Sequence, residues 1–230
     1  DESRDLNPWG IFYLRLVDMG DHADEVRSEE QIVSQAKILE RHFLETERGR
    51  FLPLYEGKLV THFDHRFGTF SGVSQEDAYA GFAREVETEE HAKSEFFIYP
   101  RYWVSQSFFN DLMVKYAYDR GWFIGFRDVC RSGDERTCIA AVIPRLPATR
   151  KFPTIGIARF DFALCLAGCL QSFSLDYIAR QKLGGTSMSF FIFKQLPVPL
   201  PERFGESCGW SGGGQTLKDW LLPRVLELTY

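Results

Sequence analysis

Residues 164–201 read LCLAGCLQSFSLDYIARQKLGGTSMSFFIFKQLPVPLP, and no other stretch narrows the fold as far. Ala163, Leu166, Leu170, Phe173 and Tyr177 recur at helical spacing, which predicts one long helix over 163–183 with a single apolar stripe. Gly184 stands where a left-handed helix cap belongs. An apolar strand pattern follows over 189–194, and Pro197, Pro199 and Pro201 close the unit. Arg180 and Lys182 flank the turn Gly184-Gly185-Thr186. Cationic side chains beside the backbone N–H groups of a Gly-rich turn suit a phosphate backbone.

The other segments predict an α+β fold: a mixed, β-rich core carrying the long packing helix. Residues 1–95 are read as an acidic, largely helical leading segment packed on that core. A short strand over 11–16 precedes the capping-box pattern Ser28-Glu29-Glu30-Gln31. Ile32, Ala36, Leu39 and Phe43 then suggest a helix that stops at Arg48-Gly49, and Ser74, Ala78, Phe82 and Val86 suggest a second. Residues 96–201 form the expected core. Strands are predicted over 95–104, 121–130 and 137–143, with a helix over 111–118 and a turn at Ser132-Gly133-Asp134 joining the last two strands as a hairpin. Residues 202–230 are read as an exit loop and the start of a C-terminal helical region.

The net charge of −5 argues against a DNA binder until its distribution is counted. Residues 1–95 carry 21 acids against 11 bases, whereas residues 96–200 carry 7 against 13. Such a chain can turn a basic face to phosphates while its other face stays acidic. No apolar run reaches membrane-spanning length, and Asp1-Glu2-Ser3-Arg4-Asp5 lacks the chemistry of a signal peptide, so a cytoplasmic protein without a membrane partner is expected. The five cysteines, Cys130, Cys138, Cys165, Cys169 and Cys208, have no paired spacing and read as buried free thiols.

His62, Asp64, His65 and Arg66 form the most reactive-looking cluster. A metal-dependent nuclease using His62, Asp64 and His65 is one reading, although on a strand 62 and 64 share a face while 65 points away. Ion pairing of Asp64 with Arg66 or His65 is the structural alternative. Arg101, in Pro100-Arg101-Tyr102-Trp103-Val104, is expected to be exposed. Arg127, Arg131 and Arg136 bracket the predicted turn and could fork onto guanine in a major groove, or pair with Asp128, Asp134 and Glu135.

Four segments in register resemble the target-recognition domain of adenine-specific DNA methyltransferases from single-chain type II restriction-modification systems. They are YEGKLVTHFDHRFGTF (55–70), PRYWV (100–104), GFRDVCRSGDERTCIAAVIPR (125–145) and the run at 164–201. Asn7-Pro8-Trp9-Gly10 and the tail from Leu222 to Tyr230 look like the flanks of that domain. The resemblance implies a piece of a larger enzyme that reads double-stranded DNA and places the target adenine for a catalytic methyltransferase domain of the same polypeptide. It implies DNA contacts by His65, Arg66, Arg101, Arg127, Arg136, Arg180, Lys182, Gly184, Gly185 and Thr186.

S-adenosylmethionine would belong to the parent enzyme. The chain shows neither a Gly-rich loop after a strand nor an NPPY-type loop, and Asn7-Pro8-Trp9-Gly10 reads as a turn. No catalytic residue, metal or cofactor is therefore expected here. A protein-interaction domain of a restriction system is the third reading.

Overall fold

The computed structural model describes residues 7–229; Asp1–Asp5 and Tyr230, named above, lie outside the described residues. The first strands in chain order are β1 (Ile11–Leu14), β2 (Val26–Ser28), β3 (Lys37–Ile38), β4 (Leu44–Thr46) and β5 (Gly49–Pro53). After them come β6 (Gly68–Thr69), β7 (Arg84–Glu85), β8 (Tyr102–Ser105), β9 (Trp122–Phe126), β10 (Ala140–Pro144) and β11 (Thr154–Ile157). The helices are α1 (Glu29–Ile32), α2 (Gln75–Ala80), α3 (Thr88–His91), α4 (Gln106–Lys115), α5 (Ala163–Leu170), α6 (Phe173–Lys182), α7 (Phe190–Phe193) and α8 (Leu217–Thr229).

Helices and antiparallel sheets together make a mixed α+β fold. One sheet has the order β1-β11-β9-β10, the other β2-β8-β5-β4-β3, and β6 pairs with β7. The four-stranded sheet is buried on both faces, and its period of two decides which side chain goes where. Leu14, Phe123, Ala141 and Ile143 face a core shared with the five-stranded sheet and α4. Tyr13, Ile124, Phe126 and Ala140 face the other way, into a core built by α5, α6 and α8. Gly125 in β9 makes the first core possible, because a Cβ there would lie 2.4 Å from the buried Phe152 ring. Gly125→Ala is expected to lower stability by about 1–3 kcal/mol through overpacking. Urea denaturation reads this directly, and an unchanged midpoint would contradict the packing argument.

Several expectations need correction. Residues 1–95 are not largely helical: they supply seven of the strands, and their three helices are six residues or shorter. Nor do they pack on a separate core, since β1 pairs with β11 and both β2 and β5 pair with β8. The capping box at Ser28 forms as expected, but it opens a single turn that hands over to 3-10 turns and β3. The helix over 163–183 is two helices bent by 70°. Ser172 accepts from the Leu175 amide and donates to the Cys169 carbonyl, so it caps α6 at the break.

Gly184 does not adopt the left-handed cap; Leu183, with extended backbone, ends α6. The strand predicted over 189–194 is the short helix α7, capped by Ser189, with Phe193 stacked on Phe126 at 4.1 Å. Among the described residues no single helix is long and apolar enough to cross a membrane.

Candidate functional site

Residues Gly57, Lys58 and Glu56 follow β5, and the main chain there is tied to the segment after β10 by Tyr55 N–H to Pro147 O and Thr149 N–H to Tyr55 O. Arg101 leads into β8, Arg127 leaves β9, and Thr149 and Lys151 lie in the turn before β11. Together with Val129 these residues line a cleft of about 400 Å³. The Gly184-Gly185-Thr186 loop joins the same end of the molecule. Cys130 N–H donates to Thr186 O, Met188 N–H donates to Asp128 O, and Val129 bridges to Ser187.

The loop is open. Lys182, Gly184, Gly185 and Thr186 are all exposed, and a Cβ on either glycine would meet nothing within 4 Å. Main-chain pinning on one side and open space on the other leave this backbone accessible to a bulky ligand.

The predicted arginine readers are mostly engaged inside the protein. Arg101 makes two hydrogen bonds to Glu56, at 2.7 and 2.8 Å, and a third to the Ala78 carbonyl, so it fastens α2 to β8 rather than standing free. Arg136 donates to Gln171 O, lies 4.4 Å over the Phe173 ring and is 3.8 Å from Asp176. With a side chain only 16% exposed it cannot reach into a groove. Arg180 donates to the carbonyls of Asp134 and Glu135, holding the turn between β9 and β10 against α6. Arg131 differs: it is exposed, and no side-chain hydrogen bond or ion pair holds its guanidinium among the described residues.

Arg127 is tied to neutral partners, the carbonyls of Gly57 and Val60. No carboxylate pairs with it among the described residues, and burial pushes its pKa down. No carboxylate thus touches its charge at the side of the cleft, and Asp134 favours that charge only through its field. The surroundings add Lys58, Arg101 and Lys151, opposed by Glu56 in the lining and by Asp128, which pairs with Lys151 at 2.9 Å. The local balance is positive.

His65 and Arg66 sit elsewhere, in a cavity of about 1020 Å³ shared with Arg41, His91, Glu40 and Glu95. Burial pushes the His65 pKa down to about 4, against the pull of Asp64, so its imidazole is neutral at pH 7 and offers DNA no charge. The nuclease trio does not assemble. Asp64 pairs with His91 at 3.0 Å, while His62 stands near Arg136 and Asp176 with both ring nitrogens buried and unbonded. Among the described residues no group of three or more His, Cys, Asp or Glu is placed to hold a metal.

No family model, curated protein or solved structure matches the chain. The site therefore rests on its own chemistry.

All five cysteines are free, and burial raises the thiol pKa of Cys130 and Cys165 to about 11 and of Cys138 and Cys169 to about 12. Lys151, Thr149 and Glu56 were not picked out by sequence reasoning. The tripeptide Thr149-Arg150-Lys151 carries a basic signal, but only the tertiary pairing brings it to Arg127. Asn7-Pro8-Trp9-Gly10 is a turn, with Gly10 at φ 61° and Trp9 buried against Phe204 and bonded to Pro199 O.

Proposed function

We propose that this chain recognises duplex DNA for an adenine-specific methyltransferase or a fused restriction-modification enzyme of the cytoplasm, placing the target adenine without transferring the methyl group itself. The observation that carries this reading is convergence. Segments 55–70, 100–104, 125–145 and 164–201, far apart in sequence, supply Lys58, Arg101, Arg127 and the Gly184-Gly185-Thr186 loop to one end of the molecule. Phosphate contacts fix position on a duplex, and an open amide loop flanked by Lys182 and Lys151 provides them. Arg131 is the turn arginine left free to reach a base edge. S-adenosylmethionine and the flipped adenine belong to the catalytic domain of the proposed parent, because this chain offers no loop for either.

Duplex binding by the chain is expected to weaken steeply between about 50 and 200 mM salt, because each neutralised phosphate releases counterions. Lys182→Ala should lower the slope by about one unit and weaken all sequences alike, whereas Arg131→Ala should cost affinity on the cognate site only. Fluorescence anisotropy on cognate and scrambled duplexes separates the two. Affinity that ignores salt would contradict the reading, and metal-dependent cleavage of plasmid DNA would favour a nuclease instead.

A further inference from the structure

The cleft beside Arg127 contains a group that the fold does not use. Thr149 is 7% exposed, its Oγ1 is buried, and no hydrogen-bond partner reaches that oxygen. Its main chain is fully engaged, with N–H to Tyr55 O and the carbonyl accepting from Phe152 N–H. Buried hydroxyls without partners are uncommon and call for an explanation. Around it stand Lys58, Arg101, Arg127 and Lys151, of which Arg127 carries the charge with no carboxylate partner. Lys151 is the exposed member: its side chain is 61% exposed and pairs with Asp128. Glu56 is occupied by Arg101 on both oxygens, so it does not repel an incoming anion with a free carboxylate edge.

We propose that this cleft is a binding site for one phosphate group, with the Thr149 hydroxyl, Arg127 and Lys151 as its ligands. A tetrahedral oxyanion supplies what the site lacks: a counter-charge for Arg127 and, with a turn of the Thr149 side chain that brings its covered hydroxyl to the cleft, an acceptor for the O–H. Its volume admits a phosphate with part of a nucleotide attached. The group comes either from a DNA backbone or from free phosphate or nucleotide. Assigning it to a backbone phosphodiester rests on the DNA reading above, while the phosphate chemistry itself does not.

The test uses the whole chain with inorganic phosphate as probe. Isothermal titration at constant ionic strength, against chloride as control, should show saturable binding with one site. Thr149→Val removes only the hydroxyl; it should leave the thermal midpoint unchanged or slightly higher, because an unpartnered buried polar group is lost. The same variant should weaken phosphate binding by at least about fivefold, and Lys151→Ala by about tenfold.

If phosphate binds and both variants also weaken duplex binding, the site holds a backbone phosphate. If phosphate binds while duplex DNA does not, the site stands with a free phosphate as its ligand, and the DNA reading fails. Duplex binding without phosphate binding, or phosphate binding indifferent to Thr149→Val and Lys151→Ala, overturns the site while leaving DNA recognition to other residues.

Discussion

Asp176→Ala should destabilise the protein by about 3–5 kcal/mol, the cost of removing one partner from a buried charged network. Asp176 is 4% exposed on α6, and its Oδ1 accepts from the amides of Thr137 and Cys138 at 2.8 and 2.7 Å. Oδ2 stands 3.8 Å from Arg136 and 3.4 Å from Arg180. One carboxylate thus terminates two orphan amides before β10 and holds two guanidiniums in place. The substitution leaves both amides without an acceptor and both guanidiniums without their counter-charge, whereas Asp176→Asn keeps an acceptor and should cost clearly less. Urea unfolding of both variants measures the difference. A loss under about 1 kcal/mol for the alanine would show that water replaces the carboxylate and that the network is not structural. Arg136→Ala belongs to the same experiment: it should lower stability, through Phe173 and Asp176, rather than change DNA sequence preference.

Acid is expected to weaken the fold well above the carboxylate range. His62 and His65 are both pushed down to about 4, in each case chiefly by burial, with Arg136 next for His62. A histidine in the unfolded chain takes its proton near pH 6.5. Above that value both states are neutral and nothing is lost. As the pH falls from 6.5 towards 4 the unfolded chain binds protons that the folded one refuses, so stability falls across that window. At pH 5 each histidine accounts for up to roughly 2 kcal/mol.

The carboxylates add their loss only lower. Glu90, held down to about 2 by the hydrogen bond from Arg84, begins to count as the pH drops below 4.5. Unfolding free energies measured at pH 7 and pH 5 on the protein and on the double variant His62→Gln, His65→Gln check this. Equal slopes for the two proteins would show that both rings are protonated in the fold.

Much of the local architecture was legible in the sequence. The aromatic, β-branched and apolar runs read as strands over 121–130 and 137–143 contain the antiparallel pair β9 and β10, the turn at Ser132-Gly133-Asp134 lies between them, and the capping box formed at Ser28. It also marked Asn7–Gly10 as a turn and the cysteines as free thiols. These features are legible because periodicity, caps and turns depend on neighbours within a few residues.

What the sequence left open was decided by segments arriving from far along the chain. Ser172 broke a helical period that the apolar spacing alone would have continued, and α5 packs against α8 so closely that a Cβ on Gly168 would lie 3.0 Å from Val225. Ser189 turned a β-prone Phe-Phe-Ile-Phe run into a helix whose Phe193 fills a place on Phe126.

The arginines show the limit best. Arg101, Arg127, Arg131 and Arg136 are alike in the sequence as cations in a basic half, yet Arg101 and Arg136 face carboxylates inside the protein, Arg127 is held by carbonyls alone and Arg131 is free. A guanidinium's role depends on whether a carboxylate, a carbonyl or water meets it. Glu56, Gly57 and Gln171 lie 45, 70 and 35 residues from the arginines they hold. Only the folded chain brings such partners within hydrogen-bond reach, and so only it could separate the structural cations from those left to meet a ligand.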